Sequence, residues 1–405
     1  MAQRLKRITL CGFKTIRDLE DFQPGPITVL IGPNGAGKSN FISFFRLLSS
    51  ALVPPGQLLW QVAKLGGASA ILHDGPQRTR EIEAHLVLTT DAEPILGGYG
   101  ARRVESEYSF RLAYAAGDTL IYAEEKCRSS GPDRSATGQW ITFTAGHRES
   151  ELIKVAAGDT TAIAVPGRNP SFVRTVTERT RSVNTAKTIM ALLQGLIVYQ
   201  FHDTSEGSRV RQKWALDDNR GLKEDAGNLA PFLYRLQQYF PKYYARIVET
   251  IRLILPFFAD FELRPELGTV LLAWRETGSD RVFTASQAAD GMLRILGLVA
   301  LLQQPESDLP PVVILDEPEL GLHPYAIEVL AGMIRAASHH AQVILATQSV
   351  SLIDRFTPED VVVVEREGRE SKFHRHTEAE LHSWLQEYTL SELWEKNVIG
   401  GRPSQ

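Results

Sequence analysis

Residues 26–52, PITVLIGPNGAGKSNFISFFRLLSSAL, constrain the chain more than any other stretch. Pro26 to Ile31 is an apolar, β-branched run that reads as a short strand, Gly32 to Ser39 fits G-x-x-x-x-G-K-[ST], and an apolar run with helical spacing follows. Strand, glycine loop and helix in that order make a P-loop; the bland alternative is a glycine turn ahead of a core helix. Gly35 and Gly37 let the backbone turn so that successive N–H groups face one anion, and the helix starting near Lys38 adds its positive end. Lys38 is then expected to reach the β- and γ-phosphates and the Ser39 hydroxyl to ligate Mg2+. The expected nucleotide-binding residues are Gly32, Pro33, Asn34, Gly35, Ala36, Gly37, Lys38, Ser39 and Asn40.

A second acidic motif lies far downstream. Pro311 to Glu319, PVVILDEPE, is an apolar strand followed by Asp316 and Glu317, and the carboxyl end of a buried strand is where an open α/β sheet places its ligands. Asp316 is expected to hold Mg2+ through water, and Glu317 to orient or deprotonate the attacking water. The alternative is a solvated acidic turn after a core strand. Because Lys38 and Asp316 must touch one Mg-nucleotide, the long segment between them reads as an elaboration that a simple nucleotide kinase has little reason to carry.

Composition sets the class. With 405 residues, 43% hydrophobic and 23% charged, the chain can bury a large core. Its formal net charge of −4 gives no global positive field, so any nucleic-acid contact must be local. Two cysteines, Cys11 and Cys127, indicate a reducing compartment, and the absence of any apolar run near the ~20 residues a membrane helix requires leads to a cytoplasmic expectation.

Between and around the motifs the periodicity changes. Residues 4–16 read as a first, edge strand, with Arg4, Lys6 and Arg7 alternating with Leu5 and Ile8. Residues 53–78 read as loop. From 79 to 165 the period is two, with strands expected at 80–88, 104–114, 119–128 and 139–144. From 185 to about 260 the spacing is helical, at Ala186–Tyr199, Leu229–Phe240 and Tyr243–Leu255, and residues 286–304 form a helix apolar almost all round. A helix from about Tyr325 to Ala337, the strand AQVILAT, a last strand at Asp360–Glu365 and a helical cap at 376–395 complete the chain. The expected organisation is one head with four sub-lobes: a P-loop lobe at 1–78, an antiparallel β arm at 79–165, a helical lobe at 166–265, and a closing lobe at 266–405.

The order IGPNGAGKS, ADGMLRILGL, VVILDEPELGLHP, VILATQS resembles an ABC-class ATPase of the RecF/SMC/OLD kind over nearly the whole chain. It is most similar to compact stand-alone bacterial ATPases, several of them components of anti-phage defence systems, whose tails read much like Tyr388–Gly401. The resemblance implies an α/β head with a mixed or parallel core sheet, an inserted antiparallel arm and a helical lobe. It also implies that two heads sandwich two ATP molecules, the signature motif of one capping the γ-phosphate held by the other.

Carried over residue by residue, the signature falls on Ala288–Met292, where Asp290 and Gly291 fit and Ala289 replaces the serine that would donate a hydroxyl in trans; Ser286 is a neighbouring substitute. The switch position, usually histidine, falls on Gln348, whose amide can bond the γ-phosphate but carries no proton, so slow turnover is expected. Leu320–Pro324 occupies the D-loop region, Gln77 is the candidate Q-loop ligand to the metal, and Phe13 and Lys14 are candidates to flank the adenine.

Two basic stretches, Arg168–Lys187 and Arg209–Lys213, could grip a phosphate backbone; a solvated arginine-rich loop is the plainer alternative. OLD proteins carry a nuclease domain after the ATPase, and with Gln405 so soon after the last expected strand, cutting is expected from a separately encoded effector or nuclease subunit. The reading is an ATP- and Mg2+-binding ATPase that dimerises with itself as the sensor or scaffold of a defence complex. The alternatives are a RecF-like DNA-repair ATPase, a transporter ATPase subunit, and a scaffold whose ATPase is silent.

Overall fold

The computed structural model describes residues 3–53, 57–92, 102–130, 138–163 and 176–401. Its centre is a six-stranded sheet in the order Glu370–Arg375, Val361–Glu367, Ile27–Ile31, Gln342–Ala346, Val312–Asp316, Leu196–Tyr199. All neighbours are parallel except the first pair, a hairpin. Every residue of Ile27–Ile31, Val312–Asp316 and Gln342–Ala346 is buried, as near-continuous apolar strands covered on both faces must be.

The alternation of side chains along those strands divides the interior into two cores. Val29, Ile31, Val313, Leu315, Val343 and Leu345 join a core with the helices Leu229–Tyr239, Pro241–Ile254, Asp290–Gln303 and Pro324–Ala337. Leu30, Val312, Ile314, Ile344 and Ala346 face the other way, onto the P-loop helix Lys38–Ala51, the helix Val176–Gln194 and a second sheet. That second sheet is antiparallel, in the order Ile16–Phe22, Gln3–Phe13, Glu81–Ala92, Arg102–Ala115, Thr119–Ser129, Ile141–Thr142.

Four expectations are corrected. The first strand lies inside the antiparallel sheet, because Ile16–Phe22 takes the edge. Its cations are answered from within the sheet, Arg7 by Asp21 at 3.1 Å on the edge strand and Lys6 by Glu105 at 2.5 Å on the strand two places away, so charge alternation does not mark an edge. Residues 53–78 contain the helices Gln57–Lys64 and Ala68–Ile71, the first burying Leu58 and Val62. The helical run after Ala186 stops at Gln194, and Leu196–Tyr199 is a strand paired with Val312–Leu315. Val361–Glu367 turns back through Glu370–Arg375 before the two C-terminal helices, Glu378–Leu385 and Leu390–Glu395. Among the described residues, no helix is long and apolar enough to cross a membrane.

Candidate nucleotide site

The P-loop hangs between the strand Ile27–Ile31 and the helix Lys38–Ala51. Gly35 and Gly37 take φ of 79° and 117°, in the left-handed region that glycine tolerates. At Gly37 space also decides, since a Cβ would lie 2.0 Å from Ser371 Oγ. Ser371, on the returning strand of the hairpin, lies 2.5 Å from Ala36 O and 2.6 Å from Thr15 Oγ1, and Asn40 Nδ2 donates to Thr15 Oγ1 at 2.7 Å. The loop is therefore clasped from behind, while Asn34, Gly35 and Ser39 are exposed at its mouth. Lys38 is buried, with Nζ donating to Gly32 O (2.5 Å) and Pro33 O (3.1 Å). Burial lowers its pKa, and Glu317, Asp316 and Glu319 oppose that shift.

Asp316 closes the Val312–Asp316 strand and is buried. Its Oδ2 lies 3.5 Å from Arg46 Nη2 and from Gln200 Nε2, and its Oδ1 is buried with no hydrogen-bond partner among the described residues. Burial raises its pKa, with Arg46 and His202 pulling the other way. An unpartnered carboxylate oxygen of this kind fits a hard divalent cation, the ligand it otherwise lacks. Glu317 sits at φ 44°, its N–H donating to Ala346 O (2.9 Å) and its Oε1 accepting from Gln348 Nε2 at 2.6 Å. The acidic turn and the switch loop are thus one unit, joined across neighbouring parallel strands.

The signature turn is built by its own cap and by one arginine. Thr284 and Gln287 form a reciprocal capping box, and Ser286 Oγ lies 2.8 Å from Thr284 Oγ1. Arg211, 9% exposed in its side chain, donates to Ala285 O, to Ala288 O at 3.1 Å and to Asp290 Oδ1 at 3.0 Å. The helix Asp290–Gln303 then starts against the D-loop region, where a Cβ on Gly291 would come within 2.8 Å of Gly321 O. Arg294 Nη1 donates to Leu320 O at 2.9 Å, and His323 Nδ1 accepts the Tyr325 N–H at 3.3 Å as a helix cap.

Several expected site residues lie elsewhere. Gln77 is exposed in the Gly75–Thr79 turn, and the amide beside Asp316 is Gln200, at the carboxyl end of the strand that helical spacing conceals. A β-branched, aromatic run after Gly195 is the signal for that strand. Phe13 is fully buried, edge-on to Phe44 at 5.8 Å, so its ring has no face left for a base. Lys14 directs Nζ to Ser43 Oγ (2.9 Å), away from the loop's mouth, and burial lowers its pKa. The basic stretch Arg209–Lys213 is already engaged: Arg209 pairs with Asp225 (3.3 Å) and stacks on Trp214, Lys213 pairs with Glu266 (2.7 Å), and Arg211 supports the signature turn. Of the other stretch, Arg168 and Arg174 lie outside the described residues; Arg179, Arg181 and Lys187 occupy exposed positions on the helix Val176–Gln194.

With this geometry in hand, the family is decided by a match over residues 27–138 and 176–354 to the family described as "AAA domain, putative AbiEii toxin, Type IV TA system". The chain belongs to that AAA-domain family. Both matched segments carry the site, the first the P-loop and the second Gln200, the signature, Asp316, Glu317 and Gln348. Among solved structures, the AAA-family chain is similar to an SMC head bound to the C-winged helix domain of ScpA, at 16% identity and a TM-score of 0.53 over 92% of this chain and 98% of that one. It is also similar to an SMC head with an extended coiled coil bound to the C-terminal domain of ScpA derived from Pyrococcus furiosus, at 14% identity and a TM-score of 0.53 over 95% and 99% of the two chains. The fold is that of the SMC head domains. No curated protein matches the sequence.

Proposed function

We propose that this AAA-family chain binds Mg-ATP, closes with a second copy of itself around the nucleotide, hydrolyses it slowly, and serves as the sensor or scaffold of a bacterial anti-phage defence complex with a separate effector. The observation that carries the chemistry is the convergence on one sheet end of the P-loop, an Asp316 oxygen without a partner among the described residues, and a Glu317 carboxylate held by the Gln348 amide. Mg2+, when bound, would supply positive charge to offset that of the phosphates. Ser39, the free Oδ1 of Asp316 and the Gln200 amide would hold the metal, and Lys38 would exchange its two loop carbonyls for phosphate oxygens. Glu317 would take the proton of the attacking water, and Gln348 orients that carboxylate without itself accepting a proton.

Slowness follows from the signature. Ala289 has no hydroxyl, and the Ser286 hydroxyl is engaged by Thr284, which leaves backbone N–H groups at the start of Asp290–Gln303 to meet the partner's phosphate. The missing contact weakens closure by about 1.5–3 kcal/mol. The defence role is supported by the family description, which names a toxin of a Type IV TA system.

Two results are expected. Gln200→Ala should raise the Mg2+ concentration needed for half-maximal turnover by roughly tenfold while Gln77→Ala leaves it unchanged, as read by metal titration of ATP hydrolysis. Light scattering of Glu317→Gln should report a doubled mass with ATP and Mg2+ but not with ADP; one unchanged mass in both would remove the dimer from this reading.

A further inference from the structure

Glu319 lies outside the P-loop and Asp316–Glu317 chemistry, yet it is only 9% exposed and sits between the acidic turn and the switch loop. Its Oε1 accepts the Thr347 hydroxyl at 2.5 Å and the Gln348 backbone N–H at 3.3 Å, and its Oε2 is buried without a partner among the described residues. Thr347 is itself fully buried. Its N–H donates to Leu30 O (3.0 Å), at the end of the P-loop strand, and its Oγ1 accepts from Ser349 N at 3.0 Å. From this fixed turn the Gln348 side chain reaches Glu317 at 2.6 Å.

A carboxylate is expensive to bury, and burial raises the pKa of this one. An apolar side chain would close the same space more cheaply, so what sets the carboxylate apart is the pair of hydrogen bonds it accepts from the switch loop. Glu317, at φ 44°, holds a backbone conformation that is costly for a residue with a side chain, and its carboxylate is oriented by the Gln348 amide at 2.6 Å.

We propose that Glu319 is a positioning residue for hydrolysis: through Thr347 and Gln348 it fixes the orientation of the Glu317 carboxylate toward the attacking water. The proposal rests on the reading of Glu317 as the base. The chain of contacts runs Glu319 to Thr347 and the Gln348 backbone, then Gln348 Nε2 to Glu317, and each link lies within 3.3 Å.

The test is steady-state ATP turnover of Glu319→Ala, Glu319→Gln, Gln348→Ala and the Glu319→Ala/Gln348→Ala double variant, beside Glu317→Gln. Glu319→Ala should lower kcat roughly ten- to hundredfold with KM for ATP within about twofold, the size expected when a catalytic group is misplaced by about an ångström. Glu319→Gln keeps an acceptor oxygen for both donors and should recover kcat to within about threefold of wild type. The double variant should fall no more than about twofold below the lower single one, because both changes cut the same link. Multiplying losses, or a raised KM at unchanged kcat, would overturn the proposal. A silent Glu317→Gln beside an unimpaired Glu319→Ala overturns it alone, whereas wild-type turnover in Glu317→Gln removes the base assignment and the proposal with it. Hydrogen exchange over residues 346–350 gives a reading independent of turnover: it should quicken in Glu319→Ala and return to the wild-type rate in Glu319→Gln, and unchanged exchange in Glu319→Ala would refute the link.

Discussion

The stability gap between the wild-type chain and Glu125→Gln should change by about 3 kcal/mol between pH 4.5 and 7, the wild type losing ground as pH rises. Glu125 is fully buried in the antiparallel sheet, accepting from Tyr108 Oη (2.6 Å), Ser150 Oγ (2.5 Å) and the Glu151 N–H (2.8 Å). Burial dominates these bonds and pushes its carboxyl up to about 7 from an ordinary 4.5. In that window the folded chain holds a proton that the unfolded chain has released, so the contribution is fully present below pH 4.5 and is lost as pH climbs through 7. The amide of the Glu125→Gln variant would keep an acceptor for Tyr108 and Ser150 and would not titrate. Denaturant unfolding of both proteins at about pH 5 and about pH 7.5 measures the gap, and comparing them cancels the other shifted groups, such as Asp316 and Glu319. A gap that stays constant would contradict the burial argument.

Glu317→Gln should lower kcat by two to three orders of magnitude, about 3–4 kcal/mol of barrier, while nucleotide affinity holds. The substitution preserves shape, and a glutamine amide can still pair with Gln348, so the Glu319–Thr347–Gln348 turn has no reason to move. What disappears is the ability to accept a proton. Because Lys38, Ser39 and Asp316 remain, the variant should accumulate in its ATP-bound form, which makes it the natural probe of assembly as well as of chemistry.

The legible parts of this protein are those in which a residue type is demanded by geometry. Gly35 and Gly37 announce positive φ, the buried strand ahead of Asp316 and Glu317 announces the carboxyl end of a parallel sheet, and the all-round apolar run announces the buried helix Asp290–Gln303. The misreadings share one cause: local sequence does not say what the fold brings alongside. Four residues, Leu196–Tyr199, continue a helical spacing as readily as they make a strand, and only pairing with Val312–Leu315 decides; reading them as helix hides Gln200. Arg211 reads as one cation in a basic run until the chain returns 74 residues later with the Ala285 carbonyl. Phe13 reads as a candidate to flank the adenine, whereas its place is set by Phe44, the ring it packs on. Glu319 draws no reading from the sequence, because the loop it holds comes from the next strand.

The most direct measurement is ATP turnover per chain as a function of chain concentration, for wild type and Glu317→Gln. If two copies close around the nucleotide and Glu317 is the base, wild-type turnover per chain rises with concentration to a plateau, and Glu317→Gln stays at least about a hundredfold lower throughout. Turnover per chain independent of concentration, or a Glu317→Gln rate equal to wild type, would contradict the account.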